Sequence, residues 1–253
     1  MTNIIAVAGK GGTGKTTTTA LIIRSLLKRK ETPLLAIDAD PNSNLAESIG
    51  IHVDKSIGTV LCDFLRERAD IPQGMSKQAF LEMKLHQILK EGKDIDMLVM
   101  GIPEGPGCYC AANAQLKDYF DDLSKNYRQV VIDNEAGMEH FSRKTTAHID
   151  LLLFCSDYSV KGIKTVKKLS EMVDELKIDV TKRFLLLNRT PEELDKNFLD
   201  AVEATGIPLL GHVPDDKKIE EYEIRGVPLT DLPDSSKAVK IVDSLVSTVI
   251  GYS

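Results

Sequence analysis

The chain alternates between short apolar runs and longer stretches in which apolar residues recur with a helical period. The runs contain mainly valine, isoleucine and leucine with little polar interruption, which is typical of strands covered on both faces of a sheet. Seven runs have this character: Ile4–Ala8, Leu34–Asp38, Met97–Met100, Val130–Asp133, Leu151–Cys155, Phe184–Asn188 and Leu209–Val213. They predict seven strands.

The stretches between the runs predict helices, most clearly Lys15–Lys30, Ala111–Lys125, Gly162–Leu176 and Ser235–Ile250. Strands and helices that alternate at this length form βαβ units, so we expect an α/β fold with a mostly parallel central sheet and helices on both faces. Neither a repeat nor a Pro/Gly-rich linker divides the sequence. We therefore expect residues 1–253 to form a single domain, with residues 51–93 as a helical insertion that decorates the sheet.

Composition and charge narrow the class of protein. Of the 253 residues 42% are apolar and 28% charged, and the net charge is −6. An acidic surface disfavours nonspecific binding to nucleic acid or anionic lipid. The apolar runs are far shorter than the roughly 20 residues of a spanning helix, and the first residues lack a secretory leader pattern. Four cysteines and no leader pattern are typical of a cytoplasmic protein with reduced thiols. From the charge and the short apolar runs we expect neither membrane nor nucleic acid as a partner.

The sequence GKGGTGKT at residues 9–16 lies directly between the first predicted strand and the first predicted helix. It fits G-x4-G-K-[ST], in which glycines let the backbone wrap phosphate oxygens and the helix directs its N–H groups at them. Lys15 is expected to pair with the β- and γ-phosphates, and the Thr16 hydroxyl to ligate Mg²⁺. The motif predicts a P-loop NTPase that binds ATP or ADP with Mg²⁺ through Gly11, Gly12, Thr13, Gly14, Lys15, Thr16 and Thr17.

Acidic residues follow two of the predicted strands. Asp133 ends the run QVVID, where the carboxylate that supports magnesium belongs in P-loop proteins, and Asp38 and Asp40 lie in AIDADPN. Gly137 in the following NEAG is placed to turn its amide toward a γ-phosphate. Each aspartate could instead form a turn or cap a helix. Their common position at strand ends, in a chain with a phosphate loop, favours a functional role.

Lys10 gives the loop a second lysine, so GKGGTGKTT resembles the deviant Walker A motif of the MinD/ParA/nitrogenase-iron-protein class. The resemblance implies a homodimer around ATP in which Lys10 reaches the phosphates of the partner. It further implies that Asp40 positions the attacking water and that Asp38 and Asp133 support Mg²⁺. On the same resemblance, the purine side of the site consists of Asn188, Arg189, Val213, Pro214 and Asp215.

Two further stretches, CYCAAN and DNEAGMEH, resemble the CooC/AcsF-type accessory ATPases within that class. Those proteins serve nickel insertion into carbon monoxide dehydrogenase or acetyl-CoA synthase. The resemblance therefore implies nickel as the cargo and one of these two enzymes as the client.

Cys108 and Cys110 are the candidate metal ligands. Residues i and i+2 of an extended segment point to the same side, so both sulfurs can face one ion. Two thiolates half-fill a tetrahedral site, and a second protomer completes it across a two-fold axis. The pair predicts a shared site for Zn²⁺ or Ni²⁺. Two other interpretations stay open, namely packing as small apolar residues and a [4Fe–4S] cluster held by four thiolates.

Two other functions compete with metal delivery. A positioning ATPase of the MinD or ParA type needs a basic amphipathic membrane helix or a basic DNA-binding surface. The final helical stretch contains only Lys237 and Lys240 as cations, and we expect it to pack on the core. The lysines at 161, 164, 167 and 168 are expected to form a solvated helix face. An iron–sulfur carrier ATPase is the other alternative.

Overall fold

The structure is a computed structural model that describes residues 2–40, 42–66, 71–101, 113–135 and 148–250. Within these ranges seven parallel strands form one sheet in the order β3-β2-β4-β1-β5-β6-β7. The strands are β1 (Asn3–Gly9), β2 (Leu34–Asp38), β3 (Ile95–Val99), β4 (Gln129–Asp133), β5 (His148–Asp157), β6 (Asp179–Thr190) and β7 (Leu209–Pro214). Each predicted run overlaps one of them, which confirms the α/β sheet.

Helices connect the strands. They are α1 (Lys15–Lys28), α2 (Leu45–Ser48), α3 (Ile57–Arg66), α4 (Lys77–His86), α5 (Asn113–Ser124), α6 (Val160–Glu175), α7 (Lys196–Glu203), α8 (Lys217–Ile224) and α9 (Lys237–Ile250). Side-chain caps begin several of them: Ser159 Oγ accepts from Gly162 N at 3.0 Å and Asp195 Oδ1 from Phe198 N at 3.1 Å. Such caps satisfy N–H groups that the first turn leaves without a partner.

The two faces of the sheet bury separate apolar clusters. Because successive side chains of a strand point to opposite faces, Ile4, Ala6 and Ala8 of β1 join the cluster that α3 to α7 cover. Ile5 and Val7 join the cluster that α1, α2 and α9 cover. Helices therefore lie on both faces as predicted, and residues 51–93 contribute α3 and α4 to the first layer.

Helix α9 packs on the core, as its pattern predicts. Ala238, Val242 and Val246 are at most 4% exposed and face the cluster that includes α1. Arg24 of α1 donates to the carbonyl of Leu232, just before α9, at 2.7 and 3.0 Å. The apolar face of α9 is thus used within the fold.

No helix in the described ranges is long and apolar enough to cross a membrane.

The topology gathers polar residues at one edge of the sheet. From the central β1 the chain first moves to β2 on one side and later, from β4, crosses to β5 on the other. In open α/β sheets, ligands bind at the carboxyl ends of strands where the connections change side in this way. Gly9, Asp38 and Asp133 are the last residues of β1, β2 and β4 and lie at that point.

Candidate nucleotide-binding site

The loop between β1 and α1 requires glycine where it touches the rest of the protein. Gly14, the residue before α1, has a left-handed backbone with φ of 82°, which side chains disfavour. A Cβ atom at Gly9 would lie 2.3 Å from the carbonyl oxygen of Cys155. At Gly11 and Gly12, by contrast, a Cβ atom would meet nothing within 4 Å. The loop is tight against β5 and open on its outer side.

Hydrogen bonds to one carbonyl close the loop. The backbone N–H and the hydroxyl of Thr13 both donate to the carbonyl oxygen of Lys10, at 3.3 and 2.8 Å. The ammonium of Lys15 lies 3.4 Å from the same oxygen, and Lys15 is only 6% exposed. The curl of the loop therefore holds a buried lysine at the position where the motif predicts a phosphate contact.

Two buried carboxylates lie beside the loop. Asp38 and Asp133 are register partners on β2 and β4 and are 0% and 1% exposed. Thr16 Oγ1 donates to Asp133 Oδ2 at 2.6 Å, and Thr19 Oγ1 donates to Oδ1 at 3.1 Å. Asp38 accepts backbone N–H groups from Leu45 at 2.9 Å and from residue 40 at 3.1 Å. Both carboxylates are thus fixed in place.

Burial raises the pKa values of both carboxylates. It raises the pKa of Asp38 to about 7, against the backbone hydrogen bond from Leu45, and the nearby Asp133 raises it further. Burial likewise raises the pKa of Asp133 to about 6, against the hydrogen bonds from Thr16 and Thr19 and the charge of Lys15. Desolvation and a like-charged neighbour both favour the protonated form of an acid. A cation at this edge would relieve both.

The chemistry of this group fits Mg²⁺. The ion prefers oxygen ligands and takes one or two from protein beside those of substrate phosphates. The Thr16 hydroxyl and the Asp133 carboxylate are 2.6 Å apart at the mouth of the phosphate loop. Asp38 adds a second carboxylate on the neighbouring strand. These side chains would hold Mg²⁺ together with a bound nucleotide.

A cleft of about 820 Å³ opens in front of the loop. It brings together twelve of the predicted site residues: Gly11, Gly12, Gly14, Lys15, Thr16, Thr17, Asp40, Asn188, Arg189, Val213, Pro214 and Asp215. The Asp40 carboxylate accepts the backbone and side-chain N–H groups of Asn42 at 2.9 and 3.0 Å. Thr13 is 1% exposed and does not line the cleft. Lys10 is partly exposed.

The end of β6 braces the loop. The Asn188 amide donates to the carbonyl of Thr13 at 2.9 Å and to the hydroxyl of Thr18 at 3.0 Å. The Arg189 guanidinium donates to the carbonyl of Gly12. The sequence predicts that both residues contact the purine, and it gives no sign of the brace. That adenine contact stays a prediction.

Asn134 is a site residue that sequence reasoning missed. Its backbone and side-chain N–H groups both donate to the carbonyl of Val7 at 3.0 Å, which ties the end of β4 to β1. Its side-chain oxygen is buried and has no hydrogen-bond partner among the described residues. The signal that could have found it is its place directly after Asp133.

The predicted thiol site lies outside the part of the chain that the structure describes. Cys108, Cys110 and Gly137 lie outside the described residues. Cys62 and Cys155 are buried, and burial raises the pKa of the Cys155 thiol to about 12. In the part of the chain that the structure describes, no three His, Cys, Asp or Glu side chains form a cluster that could hold a metal ion.

Comparison with known proteins agrees with this geometry. An uncharacterized ATP-binding protein of Methanocaldococcus jannaschii is 41% identical over 249 residues, 98% of each chain. The carbon monoxide dehydrogenase accessory protein CooC of Rhodospirillum rubrum is 29% identical over 239 residues, 90% of this chain and 89% of that protein.

The fold itself has close counterparts. The septum site-determining protein MinD of Pyrococcus horikoshii, solved in complex with Mg-ADP, matches with a TM-score of 0.72 at 21% identity, over 98% of this chain and 96% of that one. The family model of the CobQ/CobB/MinD/ParA nucleotide binding domain, CbiA, matches residues 4–229. The chain therefore belongs to the CobQ/CobB/MinD/ParA nucleotide-binding family of P-loop NTPases.

Proposed function

We propose that the protein is a homodimeric ATPase that assists the insertion of nickel into a carbon monoxide dehydrogenase or an acetyl-CoA synthase. The observation that carries the proposal is the similarity to CooC of Rhodospirillum rubrum, which extends over 90% of this chain. The sequence adds a paired thiol motif, Cys108 and Cys110, that nucleotide binding alone does not require. Nickel is then the cargo, and ATP controls its transfer.

In this proposal, ATP hydrolysis at the phosphate loop is coupled to the transfer of nickel. Bound Mg²⁺ would offset phosphate charge, with Thr16 and Asp133 as its protein contacts. Lys15 stabilises the charge that develops on the phosphates, and Lys10 does so for the partner subunit. Asp40 orients the attacking water. We expect Asp40→Ala to bind ATP and fail to hydrolyse it, which phosphate release and nucleotide titration measure separately.

The metal end depends on dimerisation. One Cys108/Cys110 pair from each protomer would make a four-sulfur site on the two-fold axis, a donor set that suits soft divalent ions. Binding of ATP would draw the protomers together and so change the protomer interface that holds the four sulfurs. Nucleotide and metal would therefore alter the affinity for each other by the same factor.

Metal analysis of the dimer tests this arrangement. We expect one divalent ion for two chains, with an affinity that differs between the nucleotide-free, ADP-bound and ATP-bound states. A Cys108→Ala/Cys110→Ala variant should lose the ion and keep ATP binding, whereas Cys62→Ala, at a buried position on α3, should keep both. One ion in every chain would contradict a shared site.

The client is tested by transfer. Nickel-loaded protein and ATP should activate a nickel-free carbon monoxide dehydrogenase or acetyl-CoA synthase, and Lys15→Ala should not. A brown, cluster-containing protein after anaerobic purification would instead identify an iron–sulfur carrier.

A MinD-like positioning ATPase is the second candidate, favoured by the likeness to the Pyrococcus horikoshii fold. We rank it second because helix α9 packs its apolar face inside the fold and so does not offer that face to a membrane. The α6 lysines at 161, 164, 167 and 168 are exposed side chains of one surface helix, which we interpret as a solvated face. ATP-dependent co-sedimentation with anionic phospholipid vesicles would reverse this order.

A further inference from the structure

Helix α8 forms one wall of the nucleotide cleft. Lys217, Ile219, Glu220 and Glu223 of this helix line the cleft. Yet none of its eight residues is buried. Asp216, which caps its first turn, accepts from Ser236 Oγ at 2.6 Å and so anchors the start of the helix. Ile219 and Tyr222 pack, partly buried, against the apolar cluster beneath α1 and α9, and an element with so few buried contacts moves at low cost in free energy.

One hydrogen bond joins this wall to the opposite one. The hydroxyl of Thr17, in the first turn of α1, donates to Glu223 Oε1 at 3.2 Å. Thr17 directly follows the Lys15–Thr16 pair of the phosphate loop and lines the same cleft. The contact therefore joins two residues that line the cleft a nucleotide must enter.

The contact also places the negative charge of Glu223 beside the loop to which phosphates, themselves negative, are drawn. In the described part of the chain Glu223 forms no ion pair, and Glu220 adds a second carboxylate to the same wall. A carboxylate that contacts residue 17 lies within a few ångströms of the helix N-terminus to which phosphates are drawn. Like charges at that separation repel, even when water partly screens them.

We propose that the Thr17–Glu223 hydrogen bond is a latch that nucleotide must displace, so that Glu223 sets the affinity for nucleotide. In the nucleotide-free protein the latch holds α8 against α1. Entry of the phosphates takes over the Thr17 hydroxyl and repels the Glu223 carboxylate, and α8 moves outward. The inference depends only on nucleotide binding, which the family shares, and is independent of any metal cargo.

Titration of the full-length protein with a fluorescent ADP analogue and Mg²⁺ tests the latch. We expect Glu223→Gln, which keeps an acceptor oxygen and loses the charge, to lower the Kd about fivefold. The matched control is Glu221→Gln, the same change on an exposed position of α8 that does not line the cleft, and its Kd should stay within about 1.5-fold of the parent. A Glu223→Gln variant that binds as well as the parent or more weakly would overturn the proposal, since the carboxylate would then not oppose the nucleotide.

A double-mutant cycle separates the latch from a general effect of charge. Thr17→Val removes the hydroxyl that holds the Glu223 carboxylate beside the phosphate loop. The carboxylate can then turn away into solvent, so in that background Glu223→Gln should change the Kd less than about twofold. Retention of the full fivefold effect would show that the hydrogen bond plays no part and would also overturn the proposal. Because both substitutions are on exposed or half-exposed positions, thermal melting should show all variants folded.

Discussion

Carboxylates have opposite surroundings at the two ends of the sheet. We call the end where the strands begin the amino edge and the end where they finish the carboxyl edge. At the carboxyl edge, Asp38 and Asp133 lie side by side and their pKa values are raised to about 7 and about 6. At the amino edge, Asp150 Oδ2 accepts the backbone N–H of Ile4 at 2.7 Å, and its other oxygen lies 3.4 Å from His148. One edge concentrates negative charge, and the other neutralises it locally.

The difference shows which edge is built for stability and which for binding. Asp96, near the start of β3 at the amino edge, also has donors within the fold. It accepts hydrogen bonds from the Tyr127 hydroxyl at 2.6 Å and from the Gly92 N–H at 2.9 Å. A carboxylate whose partners are present in the fold stabilises it, whereas two buried carboxylates that share only the charge of Lys15 cost free energy until a further cation arrives. Perturbed acids in a cleft are for this reason a sign of function.

The largest effect should follow removal of the buried cation at the carboxyl edge. Lys15→Ala leaves the phosphates without their ammonium partner, and we expect ATP hydrolysis to fall at least about 100-fold, as for loss of one preorganised donor. Phosphate release measures this. Lys28→Ala, at the far end of the same helix and paired with Asp234, should hydrolyse at the parental rate. Parental activity in Lys15→Ala would refute the assignment of the site.

The raised pKa values of the two buried acids should make stability depend on pH in the nucleotide-free protein. The folded state holds protons that the unfolded chain has lost, so the free energy of unfolding should rise by about 2–4 kcal/mol as the pH falls from 7.5 to 5. Urea unfolding measures it. Asp38→Asn should flatten the dependence, and His148→Gln should leave most of it. An unchanged slope in Asp38→Asn would mean that Asp38 does not titrate in this range.

A smaller effect is expected at the amino edge. Asp150→Ala removes the acceptor of the Ile4 N–H and should cost about 1–3 kcal/mol of stability, while Asp150→Asn, which keeps an acceptor oxygen, should cost less. Nucleotide affinity should be the same in all three proteins, because the edge lies opposite the cleft. A change in Kd would break the division of roles between the edges.

The smallest effect should come from His148. Its hydrogen bond with Asp179, at 2.8 Å, raises the pKa of the imidazole. The resulting stability is present below the unfolded pKa and is lost as the pH rises through the folded pKa. His148→Gln should therefore lower the free energy of unfolding slightly at pH 5.5, by a few tenths of a kcal/mol, and leave it unchanged at pH 8.5, as urea unfolding at the two pH values measures. An equal loss at both values would point to packing rather than charge.

The sequence predicts the sheet well because parallel strands are apolar throughout. It misses the first residues of β5 and β6, since stretches such as Asp179–Arg183 are mostly exposed and owe their strand conformation to pairing with the neighbour. It also gives no prediction of α8, in which Ile219 and Tyr222 are only partly buried and the other side chains are mostly charged.

For the site, the local motifs suffice to locate Lys15, Thr16 and Asp133. Lys15 and Thr16 lie where the loop meets the start of the helix, and Asp133 is the last residue of an apolar strand. Contacts between distant segments could not be predicted. Asn188 reaches the carbonyl of Thr13 across 175 positions, and only the packing of β6 beside β5 creates that contact. The Thr17–Glu223 hydrogen bond, across 206 positions, is of the same kind.

The open outer side of the phosphate loop has a practical use. Gly11 lines the cleft, and a Cβ atom there would meet nothing within 4 Å. Its backbone, unlike those of Gly12 and Gly14, is not in the left-handed region. A cysteine introduced at position 11 could carry an environment-sensitive dye, which would report arrival and departure of nucleotide in real time from inside the binding cleft.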